Sequence, residues 1–434
     1  MSMRSPGRDK RRRKVILTVG ASCLLVLCLL FMSLLIFSIY QEKTQKEENS
    51  PPKEQENLDV LEEQSEKDVP QRKEDTPQPK ESVSKKVEEL IERMTVEQKV
   101  AQLFFVLPDS LSQVSQTTQV GELTASAFGQ YPVGGIVYME NQILSEEQLT
   151  DMNQEFCRLS QEILGVDPFL AVDEEGGSVT RIAGNPAFPV TDVGDMADVG
   201  STRDPNQAYQ VGVTLGTYLH QYGFNLDFAP VADVLTNPSN TVVSRRSFGS
   251  EPELVADMVA AEVRGLGENS IRSALKHFPG HGATAEDSHE GFAYANRSLE
   301  QLRSCELLPF QAGIDAGADF VMVGHLCYPQ IDESGEPASI SSWAVTQLLK
   351  EEMGFTGVAI TDAMNMGAIA NHYSSAEAAV RAVQAGIDMI LMPADFISAY
   401  NGVLEAVNNG SISQERLNDA LTRILTVKLE GQGD

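Results

Sequence analysis

The chain has 434 residues, with 33 Lys and Arg against 62 Asp and Glu, a formal net charge of −29. A body this acidic repels phosphate backbones and excludes nucleic acid as a partner, while its solubility names no substrate. Five cysteines without a C-x-x-C pair exclude both a disulfide framework and a cysteine zinc site.

Residues 1–14, "MSMRSPGRDKRRRK", hold seven Lys and Arg against one Asp, and residues 15–40 then run for 26 positions without a charge. That run is long enough to span a bilayer with some tilt. It is too long for a signal-peptide core, and no small-x-small cleavage site follows it. Cys23 is a poor lipoprotein site, because the apolar run continues well past it. A soluble helix would need a polar face. An uncleaved transmembrane anchor is therefore expected, with the basic tail in the cytoplasm and everything after Tyr40 outside, in a single-pass cell-membrane protein. Residues 41–83 are rich in Glu, Lys, Gln and Pro and poor in large apolar side chains, the composition of a disordered linker. As a flexible coil it would span roughly 35 to 40 Å. Residues 84–434 remain as one domain, long enough for a single large core.

Short apolar runs bounded by turn residues follow in a regular series. They are "VAQLFFV" (100–106), "GGIVYM" (134–139), "FLAVD" (169–173), "FNLDFAPV" (224–231), "SALKHF" (273–278), "FVMVGH" (320–325), "VAIT" (358–361) and "MILMP" (389–393). Between them lie segments of helical periodicity such as "SEEQLTDMNQEFCRLSQEIL", "DPNQAYQVGVTLGTYLHQYG", "EPELVADMVAAEVRGLGE" and "AEAAVRAVQAG". Strands alternating with helices imply parallel pairing through right-handed crossovers. Eight such units predict an α/β fold of the (β/α)8 barrel type, with an open doubly wound sheet as the alternative. Glycines in "AGADF", "MGFTG" and "AGIDM" read as helix stops.

In a barrel the active site is built at the C-terminal ends of the strands. The polar residues there are "DEEGGSVTR" after the third strand, "DV" and later "SRRSFG" after the fourth, and "KHFPGHG" within and after the fifth. The sixth is followed by "GH" and the seventh by "TDAMNM". Residues 276–289, "KHFPGHGATAEDSH", hold three of the chain's six histidines. Broken by Pro279, Gly280 and Gly282, this stretch cannot present a helix face and reads as a loop. Two readings compete for it. One is a metal site of His277, His281 and His289, whose spacing matches no common zinc pattern. The other is a sugar-handling site with an Asp-His pair. Carboxylates, arginines and histidines converge on one mouth, which suits a polar, hydroxyl-rich ligand.

Together these strings resemble glycoside hydrolase family 3 in its β-N-acetylglucosaminidase branch, marked by "KHFPGHG" followed shortly by Asp-x-His. The resemblance covers about residues 85–430. It implies that Asp362 in "ITDAMNM" is the nucleophile, that His289 in "DSH" is the general acid/base, and that Asp287 is its partner. It further implies that Asp173 and Arg181, Arg246, and Lys276 with His277 hold the sugar, with no cofactor and no metal. Family members commonly read "DQEGGRV" where this chain has Glu174 and Ser178. The second, sandwich-like domain of longer members is not expected here, so barrel loops alone would complete the site.

Retaining glycoside cleavage needs a carboxylate to attack the anomeric carbon and an acid to protonate the leaving oxygen; the acid then serves as base toward water. Asp362, ending a strand, suits the first role, and capping of the helix at "AMNMGAIA" is its alternative. Histidine gives and takes a proton near neutral pH without the burial a carboxyl would need. Asp287, two residues before His289, can fix the ring, as the Asp of a catalytic triad does; the alternative is a solvated loop histidine beside a capping Asp. For Lys276 and His277 the alternative to a sugar clamp is a buried ion pair with Asp173 or Asp227. His281 is expected to support the "PGHG" turn, and His325 has no assigned role. The expected function is a retaining, exo-acting β-N-acetylglucosaminidase acting on terminal β-linked N-acetylhexosamine of cell-wall-derived sugars. Its rivals are a phosphorylase, a β-glucosidase and a catalytically silent sugar-binding protein.

Overall fold

In the computed structural model, which describes residues 83–284 and 291–430, ten strands form. They are β1 (Phe104–Val106), β2 (Gly135–Val137), β3 (Phe169–Val172), β4 (Leu226–Asp227), β5 (Arg272–Phe278), β6 (Ala293–Tyr294), β7 (Phe320–Val323), β8 (Leu326–Cys327), β9 (Val358–Thr361) and β10 (Ile390–Leu391). Eight of them pair in the order β10-β1-β2-β3-β4-β5-β7-β9. Every pairing is parallel. A parallel bridge between Ile360 and Met389 joins the two ends, so the sheet curls into a barrel and the open-sheet alternative falls away. All eight predicted strands are present.

The helices between them start and stop where local chemistry directs. Glu146–Ile163 begins with the Ser145 side chain accepting from the Gln148 N–H. Pro205–Gln221 and Pro252–Gly267 each open with a proline, whose missing N–H costs nothing in the first turn. Ser375–Ala385 ends at Gly386, with φ of 113°, a conformation that favours glycine.

Side chains alternate along the short strands. Phe104 points outward and meets Phe396 of helix Phe396–Asn408 at 5.5 Å between ring centroids. Phe105, its neighbour, stacks on Phe169 at 6.2 Å and meets Phe228 edge-on at 5.4 Å. Phe169 in turn meets Phe320 at 4.9 Å, so aromatic rings fill the barrel interior. Burying each such ring contributes about 1.5 to 3 kcal/mol. Phe169 also carries Arg272 at 5.7 Å and Lys428 at 5.1 Å from its centroid. Lys428 belongs to the C-terminal helix Gln414–Glu430, which contacts the first described helix, Val83–Arg93.

Three local expectations differ. Val100 and Ala101 of the first predicted strand are helical instead, because Thr95 and Gln98 form a capping box that starts the helix Val96–Ala101. The fourth strand is cut to Leu226–Asp227, and pairing resumes only at Val231 beside Lys276. Pro230, with no N–H, cannot continue the ladder. The two-residue strands β6 and β8 pair in parallel outside the barrel, and runs so short carry no alternation to read.

The expected basic tail, transmembrane anchor and linker lie outside the described residues, apart from Val83 at the linker's end, where the first described helix begins. No helix among the described residues is long and apolar enough to cross a membrane. The three described cysteines, Cys157, Cys305 and Cys327, are free.

Candidate active site

At the C-terminal mouth of the barrel lies a cavity of about 330 Å³. Asp173, Arg181, Arg246, Lys276, His277 and Asp362 all line it, so six of the eight expected site residues meet in one place. Asp287 and His289 lie outside the described residues. Val137, Met139, Val242 and Met366 are among the apolar parts of the wall. Polar groups with apolar patches between them match the hydroxyl rim and C–H faces of a pyranose.

Lys276, near the end of β5, is 2% exposed and reaches Asp173 Oδ1 and Glu175 Oε1, each at 2.6 Å. It therefore forms the buried ion pair with Asp173 and still faces the cavity. Asp227 is not its partner: Asp227 Oδ1 accepts from the Glu174 N–H at 3.0 Å. Burial pushes the Lys276 pKa down, but the Asp173 and Glu175 charges outweigh it and keep the ammonium charged.

Glu175 was not singled out from sequence, although it sits inside "DEEGG". Its carboxylate takes a two-pronged hydrogen bond from Arg246, with Nε and Nη2 each at 2.7 Å. Burial alone would raise its pKa; the Arg246 and Lys276 charges reverse the sign and hold it well below the ordinary carboxylate range. One buried anion thus orients two of the expected sugar-binding cations.

Asp233, in the "DV" after β4, is the second residue missed. Its Oδ2 lies 2.8 Å from His277 Nδ1, and its Oδ1 accepts from the His281 N–H at 2.6 Å. Arg246 Nη2 lies 3.2 Å from His277 Nε2. A guanidinium can only donate, so Nε2 accepts and the proton sits on Nδ1, facing Asp233. The "PGHG" turn is pressed onto the preceding loop, where a Cβ on Gly282 would lie 1.9 Å from the Val234 carbonyl oxygen. His281 supports this turn as expected, with Thr284 Oγ1 2.9 Å from its Nδ1, and also lines the cavity.

Glu174, where family members commonly have Gln, folds the loop after β3. Its carboxylate accepts the backbone N–H groups of Arg181, Ile182 and Ala183 and the Tyr218 hydroxyl. Burial pushes its pKa up, and these hydrogen bonds hold the rise back. The Arg181 guanidinium, delivered by that loop, donates to Glu140 Oε1 at 2.9 Å.

Asp362 follows the last residue of β9. Its N–H donates to Val323 O at 2.8 Å, and its Oδ1 accepts from the Ala363 N–H at 2.8 Å. It does not cap the next helix, which begins at Gly367 with Met366 in the cap position. His325, buried after β7, donates from Nε2 to Ala363 O at 3.0 Å and meets Ser339 Oγ through Nδ1 at 2.8 Å. It ties down the backbone just after Asp362. Among the described residues no group of three or more His, Cys, Asp or Glu is placed to hold a metal ion.

A family model described as "Glycosyl hydrolase family 3 N terminal domain" matches residues 95–427. Beta-hexosaminidase A of Pseudoalteromonas piscicida is 32% identical over 346 residues, covering 74% of this chain and 57% of that protein. The beta-hexosaminidase of Stenotrophomonas maltophilia (strain K279a) is 36% identical over 270 residues, covering 60% of this chain and 76% of that one. Among solved structures, a glycoside hydrolase family 3 beta-N-acetylglucosaminidase from Paenibacillus sp. str. FPU-7 superimposes with a TM-score of 0.73 at 34% identity. That match covers 78% of this chain and 63% of the other.

Proposed function

The chain belongs to glycosyl hydrolase family 3, and from that premise we propose that it is a retaining, exo-acting β-N-acetylglucosaminidase releasing terminal β-linked N-acetylhexosamine. The observation that carries this reading is the meeting of Asp362, Asp173, Lys276, His277, Arg181 and Arg246 around one cavity. The names of its relatives, beta-hexosaminidases and a beta-N-acetylglucosaminidase, support the 2-acetamido sugar.

In this mechanism Asp362 attacks the anomeric carbon while His289 gives its proton to the departing oxygen, forming a glycosyl-enzyme. His289 then takes a proton from water, which attacks the same carbon and frees Asp362. Asp287 orients the His289 ring. Asp173 and Lys276 hold sugar hydroxyls, and their mutual ion pair fixes the donor and acceptor before substrate arrives, so little ordering remains to oppose binding. Residues 15–40 anchor the protein in the cell membrane, with the barrel outside on its linker, where cell-wall-derived sugars are the substrate.

Incubating the purified protein with chromogenic N-acetylglucosaminide and glucoside, with and without phosphate, tests the reading. Release from the N-acetylglucosaminide without phosphate is expected. A sugar 1-phosphate product would make it a phosphorylase, and preference for the glucoside a β-glucosidase. Inertness toward both would leave a sugar-binding protein.

A further inference from the structure

Outside the residues that line the cavity stands an aromatic cluster. Phe292 and His372 stack at 4.3 Å between centroids with their planes 17° apart, and Tyr294 lies 6.5 Å from Phe292. Phe292 and Tyr294 flank Ala293, which is fully buried. Phe292 is partly exposed and Tyr294 exposed, so both turn away from the side that Ala293 buries. Tyr294 is 49% exposed and is the sole aromatic among the large apolar side chains left exposed in the described residues. An exposed Tyr294 beside a partly exposed Phe292 and an exposed His372 leaves stacking surface open to a ligand.

Its position follows from the strands that carry it. β7 runs to Val323 at the mouth, and β8 starts three residues later at Leu326, holding Ala293 of β6 beside it. His372 follows the short helix Gly367–Ala370, whose cap residue Met366 lines the cavity. Six residues separate Met366 from His372, about 9 Å at the rise of a helix. That sets His372 within about two helical turns of the cavity wall. His325, one residue before β8, is bonded to Ala363, so this rim and the Asp362 loop are joined directly.

We infer that Phe292, Tyr294 and His372 form the leaving-side subsite, a platform on which the apolar C–H face of the departing pyranose stacks. The inference rests on the glycosidase reading of the same cavity. It names the leaving group as a second sugar ring, held by its face more than by its charge, with the exposed His372 at the edge able to meet a hydroxyl.

The test compares the full-length protein with Tyr294→Ala, Phe292→Ala and His372→Ala on two substrates that share the attacked sugar. One is N,N′-diacetylchitobiose, whose leaving group is a pyranose; the other is β-N-acetylglucosaminyl fluoride, whose leaving group has no ring. Each variant should lose about three- to tenfold in kcat/KM on the disaccharide, the worth of one aromatic stack, and distinctly less on the fluoride. Because Tyr294 is exposed, its variant keeps the test independent of any folding defect in Phe292→Ala. Unchanged disaccharide kinetics in Tyr294→Ala and His372→Ala, or equal losses on both substrates, would overturn the subsite while leaving the glycosidase standing. A wild type inert toward both substrates would overturn the glycosidase and the subsite together.

Discussion

Lys276 Nζ lies 2.6 Å from Glu175 Oε1, and both side chains are 2% exposed. Lys276 also pairs with Asp173, whose side chain is 25% exposed. The same ammonium thus serves one anion buried in the cavity wall and one partly exposed there. Glu175→Gln removes the charge that balances Lys276 and Arg246, and breaking a buried pair from one side costs about 3 to 5 kcal/mol. Asp173→Asn leaves Glu175 in place. Thermal melts and kinetics should therefore separate them: Glu175→Gln lowers Tm sharply, whereas Asp173→Asn largely keeps Tm and loses kcat/KM.

Asp362→Ala should lower kcat by roughly a thousandfold or more, as removal of a reacting group does, with the melting transition preserved. The residue stands at a strand end beside the cavity, outside the packed aromatic interior. A 2-deoxy-2-fluoro glycoside should form a covalent adduct on Asp362, located by mass spectrometry of peptides. An adduct on another carboxylate would reassign the nucleophile.

His289→Ala should lose most activity toward substrates with poor leaving groups, which need a proton, and far less of the first step with a dinitrophenyl leaving group, which does not. Azide should restore turnover of the activated substrate by attacking in place of base-assisted water. Asp287→Ala should show the same pattern more mildly, because the imidazole remains. Equal losses across leaving groups, without azide rescue, would assign the proton to another residue.

Lys428 supplies a pH test of the barrel itself. Burial pulls its pKa down to about 7, against about 10.4 for an exposed lysine. Between those values the unfolded chain holds a proton the folded chain lacks, so stability rises with pH across that window and the full penalty applies below it. Lys428→Met removes this titration, although it also takes the donor from Gln102 Oε1. The Tm of the variant relative to wild type should be highest near pH 6 and fall as pH approaches 10. A difference independent of pH would mean that the lysine does not change its charge on folding.

If residues 15–40 anchor the chain, protease added to intact cells should release an active soluble fragment by cutting within residues 41–83. Linkers rich in Pro and charge are open to attack. Recovery of the protein from cytosol, or resistance until lysis, would reverse the topology.

The sequence by itself determined the barrel. Parallel strands covered on both faces read as short continuous apolar runs, and "VAIT" became β9 to the residue because nothing in it competes with strand pairing. The same logic fails at Val100 and Ala101, where a local capping box wins, and at β6 and β8, whose two residues hold no pattern. The polar residues at strand ends could be named because a closed parallel barrel brings those ends to one mouth. Six of the eight did meet there.

Only the tertiary structure decided the partners. Asp233 and His277 stand 44 residues apart, and Arg246 and Glu175 stand 71 apart. No periodicity links positions so distant, because their meeting depends on strand register and loop path. A string such as "DEEGG" cannot say which acid stays partly exposed in the cavity and which is buried in its wall. That choice follows from the chain's path after β3, which leaves Asp173 partly exposed and buries Glu175 in the same cavity wall between Lys276 and Arg246. The stack of Phe292 on His372 has the same origin. Each residue is unremarked in its own segment, and only the folded chain makes them neighbours.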